Sequence, residues 1–194
     1  LAGNHDFLNV HQPLSLLRDS ILDAWIGAYP DVPDPDDPDF ASIPLLRHPI
    51  NLVVGDKHPL LNAGDGLSFE MVSEYPSLAL PDGAFPKFEA CLKGIGLWNS
   101  PSRISRYNHD KWEGRWEAEL LVGYASIFSI DFYPQPQYFL PLQLPIQVGD
   151  NLVVKREYAD HPRLLQLLAD LRQQLKPWLE ANPELIDPLK EKNL

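Results

Sequence analysis

LVVGDKHPLLNAGDGLSFEMVSEY, residues 52–75, decides how this chain is read. The apolar run Ile50 to Val54 has the profile of a buried strand, and Gly55-Asp56 then turns it into a loop carrying His58-Pro59-Leu60. Ser68 follows as an N-cap, its hydroxyl placed to accept an orphan backbone N–H, and so predicts a short helix over Ser68 to Tyr75. Outward from this strand, loop and helix the alternation continues. Ser77 to Leu80 is a second buried strand stopped by Pro81-Asp82-Gly83, and a helix from about Phe85 to Ile95 is closed by Gly94 and Gly96. Arg103 to Tyr107 reads as a strand and Lys111 to about Tyr124 as a helix. The apolar pieces Ser126 to Phe132 and Tyr138 to Leu140 are short and separated by PQPQ.

Upstream, His5 to Val10 is a strand candidate, and Pro13 begins a helix to about Leu22 with Leu14, Leu17, Ile21 and Leu22 at helical spacing. Ala24 to Ala28 has the profile of a buried parallel strand. In Pro30 to Asp39, PDVPDPDDPD, prolines forbid helix and ladder while aspartates repel one another, so an exposed extended loop is expected. Near the C-terminus Asn151 to Glu157 is a strand, and His161-Pro162 opens an amphipathic helix with Leu164, Leu165, Leu168, Leu171 and Leu175 on one face. Pro177 to Leu194 is expected to be a loosely packed tail. Strands alternating with helices make the fold class α/β.

The chain has 194 residues, 44% of them hydrophobic, enough for a sizeable core. Its formal net charge of −11 repels phosphates and argues against direct binding of nucleic acid or an anionic membrane. The lone Cys91 cannot form an internal disulfide and suits a reducing cytoplasm. No run approaches the roughly 18 apolar residues that span a bilayer.

Chemistry-bearing motifs are few. Gly94-x-Gly96 closes a helix instead of opening one after a strand, so it is no nucleotide fingerprint. No HExxH, CxxC or clustered His/Cys spacing exists, and the Asp-rich loop lacks the glycine bend and terminal Glu of a calcium loop. Ser126 and Ser129 have no nucleophile elbow around them, and Cys91 has no visible base. Catalytic residues, metal ligands and cofactors are therefore all expected to be none, and the chain is read as a non-enzyme. Trp98, Trp112 and Trp116 are read as packing, because the acidic balance removes the attraction that a stacking platform for nucleic acid needs.

Residues 52–75 and, upstream, LRDSILDAWIG at 17–27 resemble the effector-binding domain of LysR-type transcriptional regulators, whose recurring pattern is L-R-D-G-x-L-D-x-x-I-G. The resemblance continues through Tyr75-Pro76 to Pro81, Glu119 to Gly123, and Leu152 to Leu179. It implies two Rossmann-like lobes of the type II periplasmic-binding-protein kind, joined by two crossing strands near Pro44 to Asn51 and Leu142 to Val148. The first lobe would comprise residues 1–43 and 148–194, and the second 44–147. It also implies that the winged helix-turn-helix head and the start of the first lobe are absent, leaving a fragment that meets DNA only through that missing head.

The same resemblance implies a cytoplasmic ligand-sensing and oligomerising portion, with a small-molecule effector in the interlobe cleft. The first-lobe residues expected to bind it are His11 and Gln12, at a strand-to-helix loop, and Tyr29. The second lobe would add Asp82, Gly83 and Phe85, then Asn108, His109 and Trp112. Ligands of open α/β sheets sit at such loops; a helix cap also explains His11 and Gln12, a rim aromatic Tyr29 and a plain turn the Asp82 to Phe85 loop, while the resemblance makes the loop of Asn108, His109 and Trp112 the strongest candidate. An antiparallel homodimer or homotetramer is expected, through Leu14, Leu17 and Arg18 against Lys87, Phe88 and Cys91 of a partner. The alternative is an extracytoplasmic solute-binding protein of a transporter, which shares the fold.

Overall fold

The computed structural model describes residues 11–79, 83–99, 103–105, 120–126 and 136–188. It divides into two compact units, residues 1–48 with 148–194, and residues 49–147. Two long strands, β2 (Phe40–Val54) and β6 (Tyr138–Lys155), contribute residues to both. They lie side by side in a sheet of order β1-β6-β2-β5, where β1 is Trp25–Tyr29 and β5 is Gly123–Ala125.

In the first unit the period-two alternation of β2 and β6 feeds two cores, one on each face. Phe40 and Val153 point to the face covered by α1 (His11–Arg18), where Leu17 and Val32 complete a buried cluster against Leu14, Trp25 and Tyr29. Ala41, Leu45, Leu152 and Val154 point to the other face, covered by Leu164 and Leu168 of α4 (Pro162–Ala181). His161 caps α4 by accepting the Arg163 N–H on Nδ1 at 3.3 Å.

Several expectations change here. The first helix ends at Arg18, because Ser20 turns left-handed at φ 56° and leaves Ile21 68% exposed. β1 runs antiparallel to β6, with Tyr29 opposite Gly149, and Ile26 on it is 55% exposed, so it is not a buried parallel strand. The Asp-rich segment is not wholly an exposed loop. Asp31 and Val32 are buried, and Arg156 donates to the carbonyls of Pro35, Asp37 and Phe40. The C-terminal tail is docked as well. α4 continues through Pro177 to Ala181, Leu185 is buried, and Ile186 exchanges two backbone hydrogen bonds with Arg47. Leu165 stands half exposed, off the buried stripe of α4.

The second unit holds α2 (Phe69–Ser73), β3 (Ser77–Ala79), α3 (Pro86–Gly94) and β4 (Arg103–Ser105), with β3 and β4 paired in parallel. Ser68 caps α2 as expected, accepting the Met71 N–H. Leu52, Val53 and Val54 of β2 are fully buried, and β5 pairs antiparallel with Asn51–Val53. Gly123–Ala125 is thus a strand where a helix to Tyr124 was expected; residues 111–119 of that helix, with His5–Val10 and residues 127–132, lie outside the described residues. In β6, Pro141 and Pro145 are both exposed, and β1 pairs only with residues 149–153.

Candidate functional site

The expected effector residues fall in both units. In the first, His11 and Gln12 form the first turn of α1, Gln12 exposed. Tyr29 ends β1, half-buried, and the Arg47 guanidinium lies over its ring at 3.8 Å from the centroid. Arg47 is itself only 7% exposed. Its Nη1 donates to the Leu46 carbonyl at 2.8 Å and lies 3.5 Å from that of Asp150. Burial pushes the Asp150 carboxyl above the usual carboxylate range, against the opposing pull of His48 and Arg47. On the α1 side of the sheet Asn151, buried, donates to Ser42 Oγ at 2.6 Å, and its Oδ1 has no hydrogen-bond partner.

In the second unit Gly83 sits at φ 72°, a conformation that favours glycine, and its N–H donates to Glu89 Oε2. Phe85 stands at the N-cap of α3 without a side-chain cap bond, and Pro86 follows at the first helical position. Asp82, Asn108, His109 and Trp112 lie outside the described residues. The structure therefore brings together Tyr29 with Arg47, and Gly83 with Phe85 at the head of α3.

Of the expected contact residues, Arg18 and Lys87 are exposed, and Arg18 pairs with Asp39 at 3.7 Å. Leu14 and Cys91 are partly buried, and burial pushes the Cys91 thiol up, away from thiolate chemistry. Leu17 and Phe88 belong to the chain's own cores. Leu17 has no exposure, and Phe88 meets Tyr124 edge-on at 5.8 Å. An acidic substitution at either would disrupt the unit's packing before it touched any partner.

Arg47, Asp150, Asn151 and Ser42 were not picked out as site residues from the sequence. The available signal was a charged residue, Arg47, inside the apolar stretch Ile43 to Val54. Among the described residues no group of three or more His, Cys, Asp or Glu could hold a metal ion, and no helix is long and apolar enough to cross a membrane. His58 is committed to two hydrogen bonds: Nδ1 accepts the Leu60 N–H and Nε2 donates to the Leu120 carbonyl.

Residues 6–93 match the model of the LysR substrate binding domain family. No curated protein sequence matches the chain. The effector-binding domain of a BenM variant superposes with a TM-score of 0.66 at 14% identity, covering 93% of this chain and 82% of that one. The effector-binding domain of QuiR in complex with shikimate gives 0.59 at 17% identity, covering 83% and 75%. The regulatory domain of MetR from N. meningitidis gives 0.63 at 14% identity, covering 90% and 81%. A mutant of Corynebacterium glutamicum OxyR gives 0.65 at 18% identity, and there this chain spans 53% of the longer protein. Residues 6–93 are thus similar to the LysR substrate binding domain, and the chain has the α/β fold of the effector-binding domains compared with it.

Proposed function

We propose that this chain is the ligand-sensing portion of a LysR-type transcriptional regulator, a cytoplasmic non-enzyme that binds a small-molecule effector and self-associates. The family match over residues 6–93 carries the reading, and the places of Gln12 in the first turn of α1 and of Phe85 at the N-cap of α3 support it. The solute-binding alternative shares the fold, but the solved structures named above include two effector-binding domains and the regulatory domain of a LysR family regulator. The effector residues in this proposal are Gln12, Tyr29, Gly83, Phe85 and Asn108. Effector work comes from differential affinity for two arrangements of the molecule. The self-association surface is proposed for the exposed Arg18 and Lys87 and the partly buried Leu14 and Cys91. Leu17 and Phe88 serve it from beneath, as packing.

A thermal-shift screen of small organic metabolites, shikimate among them, tests the reading on wild type, a Gln12→Ala/Asn108→Ala double variant and an Arg172→Ala control on the exposed side of α4. A compound that binds the folded state raises the melting temperature in proportion to its affinity. The double variant should weaken binding by about 1 to 3 kcal/mol for each desolvated hydrogen bond lost, with the control unchanged. Equal stabilisation of all three proteins would move the site elsewhere. The chain alone should also leave duplex DNA unshifted, since its net charge is −11; a salt-sensitive shift would contradict the proposal that DNA is met through another segment.

A further inference from the structure

Three residues stand side by side across three strands at the point where the chain passes between its units. Tyr29 is opposite Gly149 in the β1–β6 ladder, and Arg47 of β2 lies against the other side of Gly149. A Cβ at Gly149 would collide with the Leu46 carbonyl oxygen and sit 3.1 Å from Arg47 Cδ. The absent side chain is therefore what lets the arginine stem cross the middle strand. Having crossed, the guanidinium lies over the Tyr29 ring at 3.8 Å, closer than the roughly 6 Å limit for an attractive cation–ring contact. Burial to 7% exposure removes most of the water that would weaken it.

The backbone of Arg47 is fixed independently of this contact. Its N–H donates to the Ile186 carbonyl at 3.0 Å and its carbonyl accepts the Ile186 N–H at 2.8 Å. The guanidinium also donates to the Leu46 carbonyl, and beside it lies the carbonyl of Asp150, the residue after Gly149. The position of Arg47 in the chain gives the contact its meaning. Arg47 lies two residues before the division between His48 and Pro49, and Gly149 lies two residues after that between Gln147 and Val148. The side chain of one residue thus ties the end of β1 to both strands that carry the chain from one unit to the other.

We infer that Tyr29, Arg47 and Gly149 form a lock across the sheet, in which Arg47 is a positioning residue that makes β2 and β6 at their crossings answer to what happens at the end of β1. The inference rests on the reading of Tyr29 as an effector contact, and it names the route by which occupancy there reaches the crossing strands. A ligand that draws the Tyr29 ring aside releases the guanidinium, and one that presses the ring onto it tightens β2 against β6. The planar, weakly hydrated guanidinium suits this work, whereas a lysine ammonium would keep the charge and lose the stacked plane.

Hydrogen exchange of the whole chain, measured residue by residue without added ligand, tests the lock. Tyr29→Phe keeps the ring face and should leave exchange unchanged. Tyr29→Leu removes the ring and should speed exchange of the amides at 46–48 and 149–151 by about tenfold, the loss of a contact worth one decade in a local opening equilibrium. Arg47→Lys should do the same to a lesser degree, and amides of α2 in the second unit should not respond to any of the three. Equal exchange in Tyr29→Phe and Tyr29→Leu would overturn the lock, and so would a rise spread evenly over both units. Should Tyr29→Leu fail to fold, Arg47→Lys against wild type decides by the same amides. Because no ligand enters the measurement, a metabolite screen that finds nothing would remove the effector role of Tyr29 and leave this result standing.

Discussion

The dipeptide His-Pro occurs three times, once inside β2 at residues 48–49 and again at 58–59 and 161–162, and the last two copies build the same local structure in different surroundings. In both, the histidine is extended and its Nδ1 accepts the backbone N–H two residues on, from Leu60 at 3.2 Å and from Arg163 at 3.3 Å, while proline takes the first helical position. There the likeness ends. His161 lies in solvent at the head of α4, whereas His58 is 3% exposed, lies against the Tyr75 ring at 4.6 Å and donates Nε2–H to the Leu120 carbonyl. Leu120 itself sits at φ 51°, a left-handed conformation that a leucine adopts at a cost and keeps only when its surroundings hold it. The same two residues thus make a helix cap in one place, and in the other a cap joined to a staple.

The comparison breaks most sharply at His58. His58→Ala leaves the Leu60 N–H and the Leu120 carbonyl without a partner and opens a cavity beside Tyr75, so unfolding in denaturant should show a loss of about 2 to 4 kcal/mol. His161→Ala removes only an exposed cap and should cost about 0.5 to 1 kcal/mol in the same assay. Equal losses would mean that burial adds nothing to the cap.

A smaller effect sharpens the contrast through pH. Burial lowers the His58 pKa, with the Leu120 carbonyl pulling the other way. Both ring nitrogens are used in the neutral form, and a proton on Nδ1 would face the Leu60 N–H. The folded pKa lies below the unfolded one, so the stability from this group is fully present above about pH 6.5 and is lost as pH falls through the folded value. Melting temperatures at pH 7.5 and 5.5 should fall further apart in wild type than in His58→Gln. An identical interval in the two proteins would assign the acid sensitivity to other groups.

What the sequence reveals follows from how local the cause is. The His58 turn, the Ser68 cap and the proline opening of α4 are each decided within four residues, and each is found where expected. By its apolar pattern β2 was legible only over Ile50 to Val54, because Pro44, Arg47, His48 and Pro49 interrupt that pattern upstream, where the resemblance alone implied a crossing strand. Those polar groups are tolerated in a strand because Tyr29, Asp150 and Ile186, all distant in sequence, receive them. The direction of β1 was misread for a related reason, since an apolar run reads alike whether its partner runs with it or against it. Gly123–Ala125 was misread as helix because a short apolar stretch has no period of its own, and pairing with β2 decided it. At the candidate site, Tyr29 was legible as the aromatic at a strand end, but Arg47 was not, because its role depends on a glycine a hundred residues away.

β6 carries one further consequence, in its prolines. Pro141 and Pro145 are exposed in the part of the strand that lies outside the β1 ladder, and each lacks the N–H that a sheet edge would offer to a passing chain. Prolines persist in sheets where their donor side faces solvent, and there they spoil the edge as a template. Tyr138 and Phe139 are exposed just before them, the kind of apolar and aromatic lead-in that promotes stacking of unfolded copies. The two prolines thus leave that stretch of β6 a poor template for a pairing strand.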